Sequence, residues 1–227
     1  MADFDRVLVL ETSGKVGQAA LIAGEAVIGE GKLGQERRRA SDLALVVDEL
    51  LRTAGWEPAG LTAVVVGLGP GSYTGLRVGL ASAKALAYAV GGRFFGVETF
   101  AAVAIRAPEG SVSVIADALQ GKLFRRDYRR FGNGVEPVSP LEVTVATDWL
   151  AGLSPGTRVT GPAAGAWEAK LPAGVTVIDL ADRDPRPADL LAVARTCPWA
   201  VTTDMWTAEP FYLRGSSAEE KAAGRSQ

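Results

Sequence analysis

The sequence contains no histidine. Histidine is the side chain whose unperturbed pKa lies closest to neutral pH, and it is the commonest metal ligand in proteins. A histidine general base, a Ser–His triad and a histidine-ligated metal centre are therefore excluded within this chain. Chemistry at neutral pH would need carboxylates, lysine, tyrosine, the one cysteine, or a metal held by oxygen ligands. No motif for such a metal is present, so we expect no metal site.

Cysteine is nearly absent as well. Because Cys197 is alone, no internal disulfide can form and no cysteine cluster can bind zinc. No apolar run approaches the ~18 residues that span a bilayer, and the N-terminus does not read as a signal peptide. The net charge of −2 provides no overall field that would draw the chain onto nucleic acid or an anionic membrane. These features predict a cytoplasmic protein without membrane contact.

Apolar periodicity predicts an α/β fold of two lobes. The first half has the order strand, strand, strand, helix, strand, helix, strand, which is typical of a mixed sheet covered by helices. Predicted strands cover residues 6–10, 16–22, 26–32, 62–67, 93–97, 111–116, 122–131, 158–161 and 175–178, and predicted helices cover 42–54, 74–89, 148–153 and 188–196. We predict an N-terminal lobe at 1–106, a smaller second lobe at 107–214, and a disordered tail at 215–227.

A glycine-rich loop at residues 69–75 joins a buried strand to the second helix. Free amide groups at a helix N-terminus can bind phosphate or another anion, and Gly69, Gly71 and Ser72 are the candidates for this role. The loop is not a P-loop, because the Lys-Ser/Thr pair that contacts phosphate and magnesium is missing. A purely structural strand-to-helix turn is the alternative.

Acidic residues follow the first strand of each half. Glu11, Thr12 and Ser13 end the first strand, and Asp117 ends the corresponding strand of the second half. Such positions often contact phosphate or metal. Equivalent carboxylates in two halves indicate the duplicated RNase H-like architecture of the actin/hexokinase superfamily, in which both would face a nucleotide cleft. Ordinary turn carboxylates are the alternative.

Small residues recur along the helix at 74–89, where Gly75 and Gly79 are four residues apart and Ala83 continues the line. A glycine inside a helix costs about 1 kcal/mol relative to alanine, so two of them need a reason. The helix either packs closely on the chain's own sheet or, with the amphipathic helix at 42–54, contacts another subunit. The candidate interface residues are Leu43, Val46, Val47, Leu50, Thr74, Gly75, Arg77, Val78, Gly79, Ser82 and Ala83.

Basic residues form two clusters, one at 37–39 and one along the predicted strand at 122–131. Lys122, Arg126 and Arg130 alternate with Phe124 and Tyr128 on one face of that strand. The strand could contact an RNA backbone. The favoured interpretation is a charged edge strand that resists aggregation.

Four segments resemble a known family. They read Val7-Leu-Val-Leu-Glu-Thr-Ser13, Gly67-Leu-Gly-Pro-Gly-Ser-Tyr-Thr-Gly-Leu-Arg-Val-Gly79, Gly96-Val-Glu-Thr-Phe100 and Glu209-Pro-Phe-Tyr-Leu-Arg214. In this order they resemble the TsaB (YeaZ) family, most closely over residues 6–105. The resemblance implies the two-lobed actin-like (ASKHA) fold and a role in making N6-threonylcarbamoyladenosine beside the tRNA anticodon.

The resemblance also implies a non-catalytic subunit that scaffolds TsaD through the two helices. TsaD binds its metal with a His-x-x-x-His motif, so a chain without histidine is not TsaD. A small ATPase, TsaE, would join the complex, and the chain would form a homodimer when alone. It would meet tRNA only through the complex, and we expect no cofactor on the isolated chain, with ATP or ADP in the complex.

The sequence departs from this family in places. Many relatives have aspartate at Glu11, and no polar role is carried over to Leu119, Lys122 or Phe124. A nucleotide-dependent phosphotransferase and a stand-alone RNA-binding module are the rival functions. For the scaffold, Gly79→Leu is expected to abolish pairing and to leave the fold intact.

Overall fold

The computed structural model describes residues 4–33, 40–178 and 183–214. Within these ranges the strands are β1 (Val7–Glu11), β2 (Gln18–Ala23), β3 (Ala26–Lys32), β4 (Ala63–Gly67), β5 (Arg93–Val97), β6 (Gly110–Asp117), β7 (Lys122–Phe131), β8 (Gly134–Pro137), β9 (Glu142–Val145), β10 (Arg158–Thr160), β11 (Thr176–Val177) and β12 (Val201–Thr202). The α-helices are α1 (Ala40–Ala54), α2 (Tyr73–Val90), α3 (Thr99–Ala104), α4 (Ala146–Ala151), α5 (Ala164–Trp167) and α6 (Pro187–Thr196), and 3-10 turns lie at Pro58–Gly60, Glu168–Lys170 and Pro198–Ala200.

The first sheet has the strand order β12-β5-β4-β1-β2-β3. β1, β4 and β5 run parallel, whereas β2, β3 and β12 are antiparallel to their neighbours. The β1 and β4 strands are buried along their whole length. Burial on both faces accounts for their uninterrupted apolar sequences.

Helices α1 and α2 cover one face of this sheet. Leu43 of α1 and Ala83 of α2 pack with alternate residues of the central strands, such as Leu8 and Val64. The residues that alternate with these, such as Val9 and Val65, lie on the opposite face and pack in a second hydrophobic core. The side-chain period of two in each strand therefore assigns successive residues to two cores.

The second sheet has the order β11-β10-β6-β7-β8, and β9 also pairs with β7. Its centre is the antiparallel pair β6 and β7, which is in register from Gly110↔Arg130 to Asp117↔Leu123. The outer face of this sheet packs Ile115 and Leu123 against Trp149 of α4 and Ala164 of α5.

Helices α3 and α6 fill the space between the two sheets. The α6 helix contacts β1, β2, β4 and β5, and α3 contacts α6 and the second sheet. Val9 of the first sheet, Leu190 of α6 and Tyr128 of the second sheet belong to one continuous core. The molecule consequently has five layers, in the order helix, sheet, helix, sheet, helix, and the α/β class with two mixed sheets is confirmed.

The C-terminal part of the chain returns to the first sheet. β12 pairs with β5, and α6 packs on the inner face of the same sheet. The structure therefore differs from the predicted second lobe at 107–214, because residues from 187 onward belong with the first sheet. The predicted tail at 215–227 and the basic cluster at 37–39 lie outside the described residues.

The predicted order of elements over the first half is confirmed from β1 to β5. The α3 and α5 helices and the strands β8, β9 and β12 were not predicted. In the part of the chain that the structure describes, no helix combines the length and the apolar character needed to cross a membrane.

Candidate functional site

The glycine-rich loop packs on the end of β1 and on α3, and the amide groups of Gly69, Ser72 and Gly75 have internal partners. The Gly69 amide donates to Thr99 Oγ1 at 3.0 Å, and the Ser72 amide donates to the Ser13 carbonyl at 2.8 Å. Ser72 caps α2, since its hydroxyl accepts the Gly75 amide at 3.3 Å. The hydroxyl of a capping serine accepts a hydrogen bond from a helix amide, so that amide is no longer available to bind an anion.

The glycines of this loop and of α2 permit close contact with Thr12 and Ser13. A Cβ atom at Gly71 would overlap the Ser13 carbonyl, and one at Gly75 would overlap the Thr12 carbonyl. One at Gly79 would overlap Thr12 Oγ1. The Thr12 hydroxyl also donates to the Gly75 carbonyl at 2.8 Å. The geometry therefore favours the structural interpretation of the loop over an anion cradle.

Glu11 is an internal carboxylate, with 1% of its surface exposed. It accepts the Ser13 amide at 2.6 Å and the Thr99 hydroxyl at 3.2 Å. Burial raises the pKa of Glu11, although these hydrogen bonds oppose the shift. Such a carboxylate supports the joint between β1, the loop and α3, and it is not directed at a ligand.

Asp117 lies on the other sheet in a different environment. It is exposed, and its Oδ1 accepts the Leu119 amide at 2.7 Å. The structure favours the alternative of ordinary structural carboxylates over a shared nucleotide cleft, because Glu11 is enclosed and Asp117 accepts a hydrogen bond within its own turn. Across residues 4–33, 40–178 and 183–214, no group of three or more Cys, Asp or Glu side chains could hold a metal ion.

The residues proposed for a subunit interface divide into two sets. Leu43, Val47, Gly79 and Ala83 are buried in the chain's own core. Thr74 and Arg77 are exposed, and the half-buried members are Val46, Leu50, Gly75, Val78 and Ser82. For the glycine line, the structure favours packing on the chain's own sheet.

Val46 and Leu50 are half-buried because they lie over β3. A Cβ atom at Gly31 of that strand would overlap Val46 Cγ1, and one at Gly29 would lie 3.2 Å from Leu50 Cδ2. The glycines of β3 therefore bring α1 close to the sheet.

The outward faces of α1 and α2 carry apolar residues that were not predicted as site residues. Leu45 is 64% exposed and Tyr88 is 69% exposed. Ala81, Ala85 and Ala89 are also exposed and follow one another at four-residue spacing. That spacing was visible in the sequence, but the predicted interface followed the line of Gly75, Gly79 and Ala83, which faces the inside of the chain. We define Leu45, Ala81, Ala85, Tyr88 and Ala89 as the docking face.

A segment that we define as the C-terminal strap, residues 204–214, lies against α2. Lys84 Nζ donates to the Ala208 carbonyl at 2.8 Å, and the Phe211 amide donates to the Leu68 carbonyl at 2.9 Å. The rings of Tyr73 and Tyr212 lie 4.9 Å apart, and those of Tyr88 and Trp206 lie 5.9 Å apart. The Tyr-Leu-Arg segment of the sequence is thus held at the N-terminal end of α2, and Trp206 of the strap lies beside Tyr88 of the docking face.

The basic strand β7 lies inside its sheet, paired with β6 on one side and with β8 and β9 on the other. The edge-strand interpretation is therefore wrong. Arg126 and the Tyr128 hydroxyl both donate to the buried carboxylate of Glu98, which follows β5. Arg130 donates to the Ile105 carbonyl at 2.7 Å. These arginines bind groups between the two sheets, which does not favour an RNA contact.

Comparison with known proteins identifies the family. The family model described as "TsaD: tRNA N6-adenosine threonylcarbamoyltransferase" matches residues 35–172, more than half of the chain. The chain belongs to the TsaD family. This family accounts for the glycine-rich loop and for α1, α2 and the β6–β7 hairpin, which all lie within the matched range.

Within the TsaD family, the chain is of the TsaB (YeaZ) kind, as the four sequence segments indicated. It is 28% identical to the tRNA threonylcarbamoyladenosine biosynthesis protein TsaB of Bacillus subtilis strain 168, over 95% of this chain and 96% of that protein. It is 28% identical to the TsaB of Escherichia coli strain K12, over 83% of this chain and 86% of that protein. The structure of YeaZ from Pseudomonas aeruginosa superposes with a TM-score of 0.71 at 25% identity, over 92% of this chain and all of that chain. The expected two-lobed fold is confirmed.

Proposed function

We propose that the chain is a non-catalytic subunit of the system that forms N6-threonylcarbamoyladenosine on tRNA, and that it scaffolds a TsaD-type transferase. The docking face carries this proposal. Leu45 of α1 is exposed, and so are Tyr88 and a line of alanines on the neighbouring helix α2. Exposed apolar residues grouped on two neighbouring helices are typical of a surface that another protein covers.

The groups that would do chemistry are used for structure, which supports a non-catalytic role. Glu11 is enclosed, and the amides of Gly69, Ser72 and Gly75 have partners inside the chain. The sequence has no histidine that could replace them. The partner would supply the catalytic groups.

The docking face suits close contact between helices. Alanine at positions 81, 85 and 89 leaves room for a partner helix to lie within 8–10 Å of the α2 axis, a distance of the order that helix packing generally requires. Tyr88 and Trp206 supply aromatic area at the C-terminal end of the same helix. When TsaD is absent, the same face would pair two copies of the chain about a two-fold axis.

The remaining partners follow from this assignment. A TsaE-type ATPase would join the complex of the two subunits. The chain would contact tRNA only as part of that complex. ATP or ADP would be bound in the complex and not by the isolated chain. A complex that modifies tRNA would work in the cytoplasm.

Ala85→Arg tests the docking face. Arginine keeps the helix, since it is a good helix former, but places a charge in the centre of the proposed contact. We expect at least about a tenfold weaker complex with TsaD from the same organism, which corresponds to ~1.4 kcal/mol. Isothermal titration calorimetry measures the affinity, and the melting temperature should remain unchanged.

Phe131→Glu is the matched control, because Phe131 is also an exposed apolar residue but lies at the end of β7. It should leave the affinity unchanged. Equal affinity of the Ala85→Arg variant and the unmodified chain would contradict the docking face. Gly79→Leu does not serve this purpose, because its side chain would strike Thr12 inside the protein.

Calorimetry with ATP and magnesium separates this function from the phosphotransferase alternative. We expect no heat of binding with the isolated chain. Micromolar binding followed by turnover would instead assign a phosphotransferase activity to it.

A further inference from the structure

The exposed aromatic side chains of the described residues are grouped on one part of the surface. Six aromatic residues are exposed, and four of them lie on α2 or on the C-terminal strap: Tyr88, Trp206, Phe211 and Tyr212. Single exposed apolar side chains are ordinary, but a group of them on adjoining segments is typical of a surface that another protein covers. The contact of the strap with α2 does not explain this grouping.

Trp206 has the largest exposed fraction of the four, at 73%. Met205, which precedes it, packs against the core between α2 and the first sheet, and Ala208 is buried in the same core. The residues on either side of Trp206 therefore hold the strap in place, whereas the indole remains outside. An indole that adds little to the core of its own chain is available to a partner.

The backbone around Trp206 is fixed by local hydrogen bonds. Asp204 Oδ1 accepts the Trp206 amide at 2.9 Å, and Asp204 Oδ2 accepts the Thr207 hydroxyl at 2.9 Å. The Ala208 amide donates to the Asp204 carbonyl at 3.0 Å, which closes a single helical turn. Because the turn is ordered before binding, a partner that contacts Trp206 would lose less conformational entropy.

Lys84 of α2 fastens this turn to the helix. Its ammonium Nζ donates to the Ala208 carbonyl at 2.8 Å. Ala208 ends the turn, and a lysine can satisfy the last carbonyl groups of a helical segment. Lys84 is half-buried on the side of α2 that faces the strap. It therefore acts on the strap and not on a protein that covers the outward face of α2.

The strap is continuous with the docking face. The rings of Tyr88 and Trp206 lie 5.9 Å apart in an edge-to-face arrangement, which is favourable for aromatic pairs. Since Tyr88 belongs to the docking face, a protein that lies on Ala85 and Tyr88 would meet the indole beside them. The alanines of α2 permit close approach but offer little contact area, and Trp206 supplies that area. The protein that covers the docking face therefore also covers Trp206.

We propose that Trp206 is the anchor of the interface with the TsaD-type transferase, the side chain whose burial contributes most to affinity, and that Lys84 is the positioning residue that holds it. This inference rests on the proposed function and adds the strap to an interface otherwise made of two helices. Tryptophan is among the residues most often found at such energetically dominant positions. The partner would offer an apolar recess for the indole beside the helix that covers Ala85.

Trp206→Ala tests the anchor, with affinity for TsaD from the same organism measured by isothermal titration calorimetry on the full chain. We expect at least about tenfold weaker binding and little change in the melting temperature, because the indole is exposed. Phe131→Ala is the matched control, since it truncates another exposed aromatic side chain at the end of β7. It should leave the affinity unchanged.

Lys84→Met tests the positioning role. Methionine keeps an unbranched apolar side chain and a good helix propensity but lacks the ammonium group. Binding should weaken about fivefold, within the range of coupling between neighbouring residues. In a Trp206→Ala background the same substitution should have little further effect, because no anchor remains to be positioned. An equal loss in both backgrounds would overturn the role of Lys84.

The outcomes separate the anchor from the docking face. Weaker binding in Ala85→Arg but not in Trp206→Ala overturns the anchor and leaves the proposed function in place. Absence of any complex with the unmodified chain, or unchanged affinity in both variants, overturns both. Unchanged affinity for TsaD with loss of self-association in Trp206→Ala, measured by analytical ultracentrifugation, also overturns the proposal, since it assigns the indole to a contact between two copies of the chain.

Discussion

Thr12 is the residue on which the approach of α2 to the first sheet depends. Its hydroxyl donates to the Gly75 carbonyl. A side chain at position 79 would overlap the same hydroxyl. The two helix glycines, each of which weakens a helix, are therefore required by one threonine at the end of β1.

Gly79→Ala should destabilise the chain by about 1–3 kcal/mol, as overpacking generally does, in spite of the better helix propensity of alanine. Urea unfolding measures the change. In a Thr12→Ala background the same substitution should cost less, because the nearest overlapping atom is removed. Equal costs in the two backgrounds would show that Thr12 is not the obstacle.

Glu11 predicts a pH dependence with a definite sign. Burial raises its pKa in the folded chain above the ordinary value of 4.5. The folded state then holds a proton that the unfolded state releases, so stability from this group is present below 4.5 and is lost as the pH rises through the folded pKa.

The test compares unmodified chain with Glu11→Gln by urea unfolding between about pH 4 and pH 8. The free energy of unfolding of the unmodified chain, minus that of the variant, should decrease as the pH rises. A difference that is constant, or that increases, contradicts the raised pKa.

At the scale of elements, the sequence correctly predicted the helices and strands whose apolar residues follow a clear pattern. β1 and β4 are continuous apolar runs, and α1 has an apolar face of helical period. The α3 helix was missed because all six of its residues are buried, so no polar face marks its period. β12 was missed because two residues carry no periodicity, and only its pairing with β5 defines it.

The candidate site was predicted only in part, for a related reason. The sequence identified α1, α2 and the loop at 69–75 as the unusual elements, and these do contact one another. A four-residue spacing of small residues occurs on two sides of α2, however, and only the contact with Thr12 shows that Gly75 and Gly79 face inward.

The turn between β6 and β7 contains two non-glycine residues in a backbone conformation that side chains disfavour. Leu119 and Gln120 have φ values of 62° and 52°, in the left-handed region that β-carbon sterics disfavour. Leu119 is 59% exposed, so its side chain gains little from packing in return.

Leu119→Asn should raise the free energy of unfolding by about 1 kcal/mol, because asparagine tolerates the left-handed region. Leu119→Ala removes the same exposed side chain without that tolerance and should give no gain. Urea unfolding of both variants distinguishes them, and an equal gain from alanine would exclude the backbone explanation.

The middle layer of the molecule, formed by α3 and α6, packs against both sheets. α3 and α6 share one core with both sheets, and Glu98 at the end of β5 binds Arg126 and Tyr128 of β7. The two sheets therefore do not behave as independent domains, although each has its own strand order.

A fragment of residues 1–106 should not fold by itself. It lacks α6 and β12, so it would expose the inner face of the first sheet and the unpaired edge of β5. We expect a circular dichroism spectrum without a cooperative thermal transition, which addition of the fragment 107–227 should restore. A dispersed NMR spectrum from the first fragment alone would show that the first sheet is self-sufficient.

The strap has a practical consequence for anyone who purifies this protein. Arg214 ends a segment that is fastened to α2 through Lys84 and Tyr73. An affinity tag attached on the C-terminal side of this segment would be tethered to the helix on which TsaD is expected to bind, and would compete with TsaD for that surface. The N-terminus, which leads directly into the central strand β1, is the better place for a tag, provided that it can be cleaved.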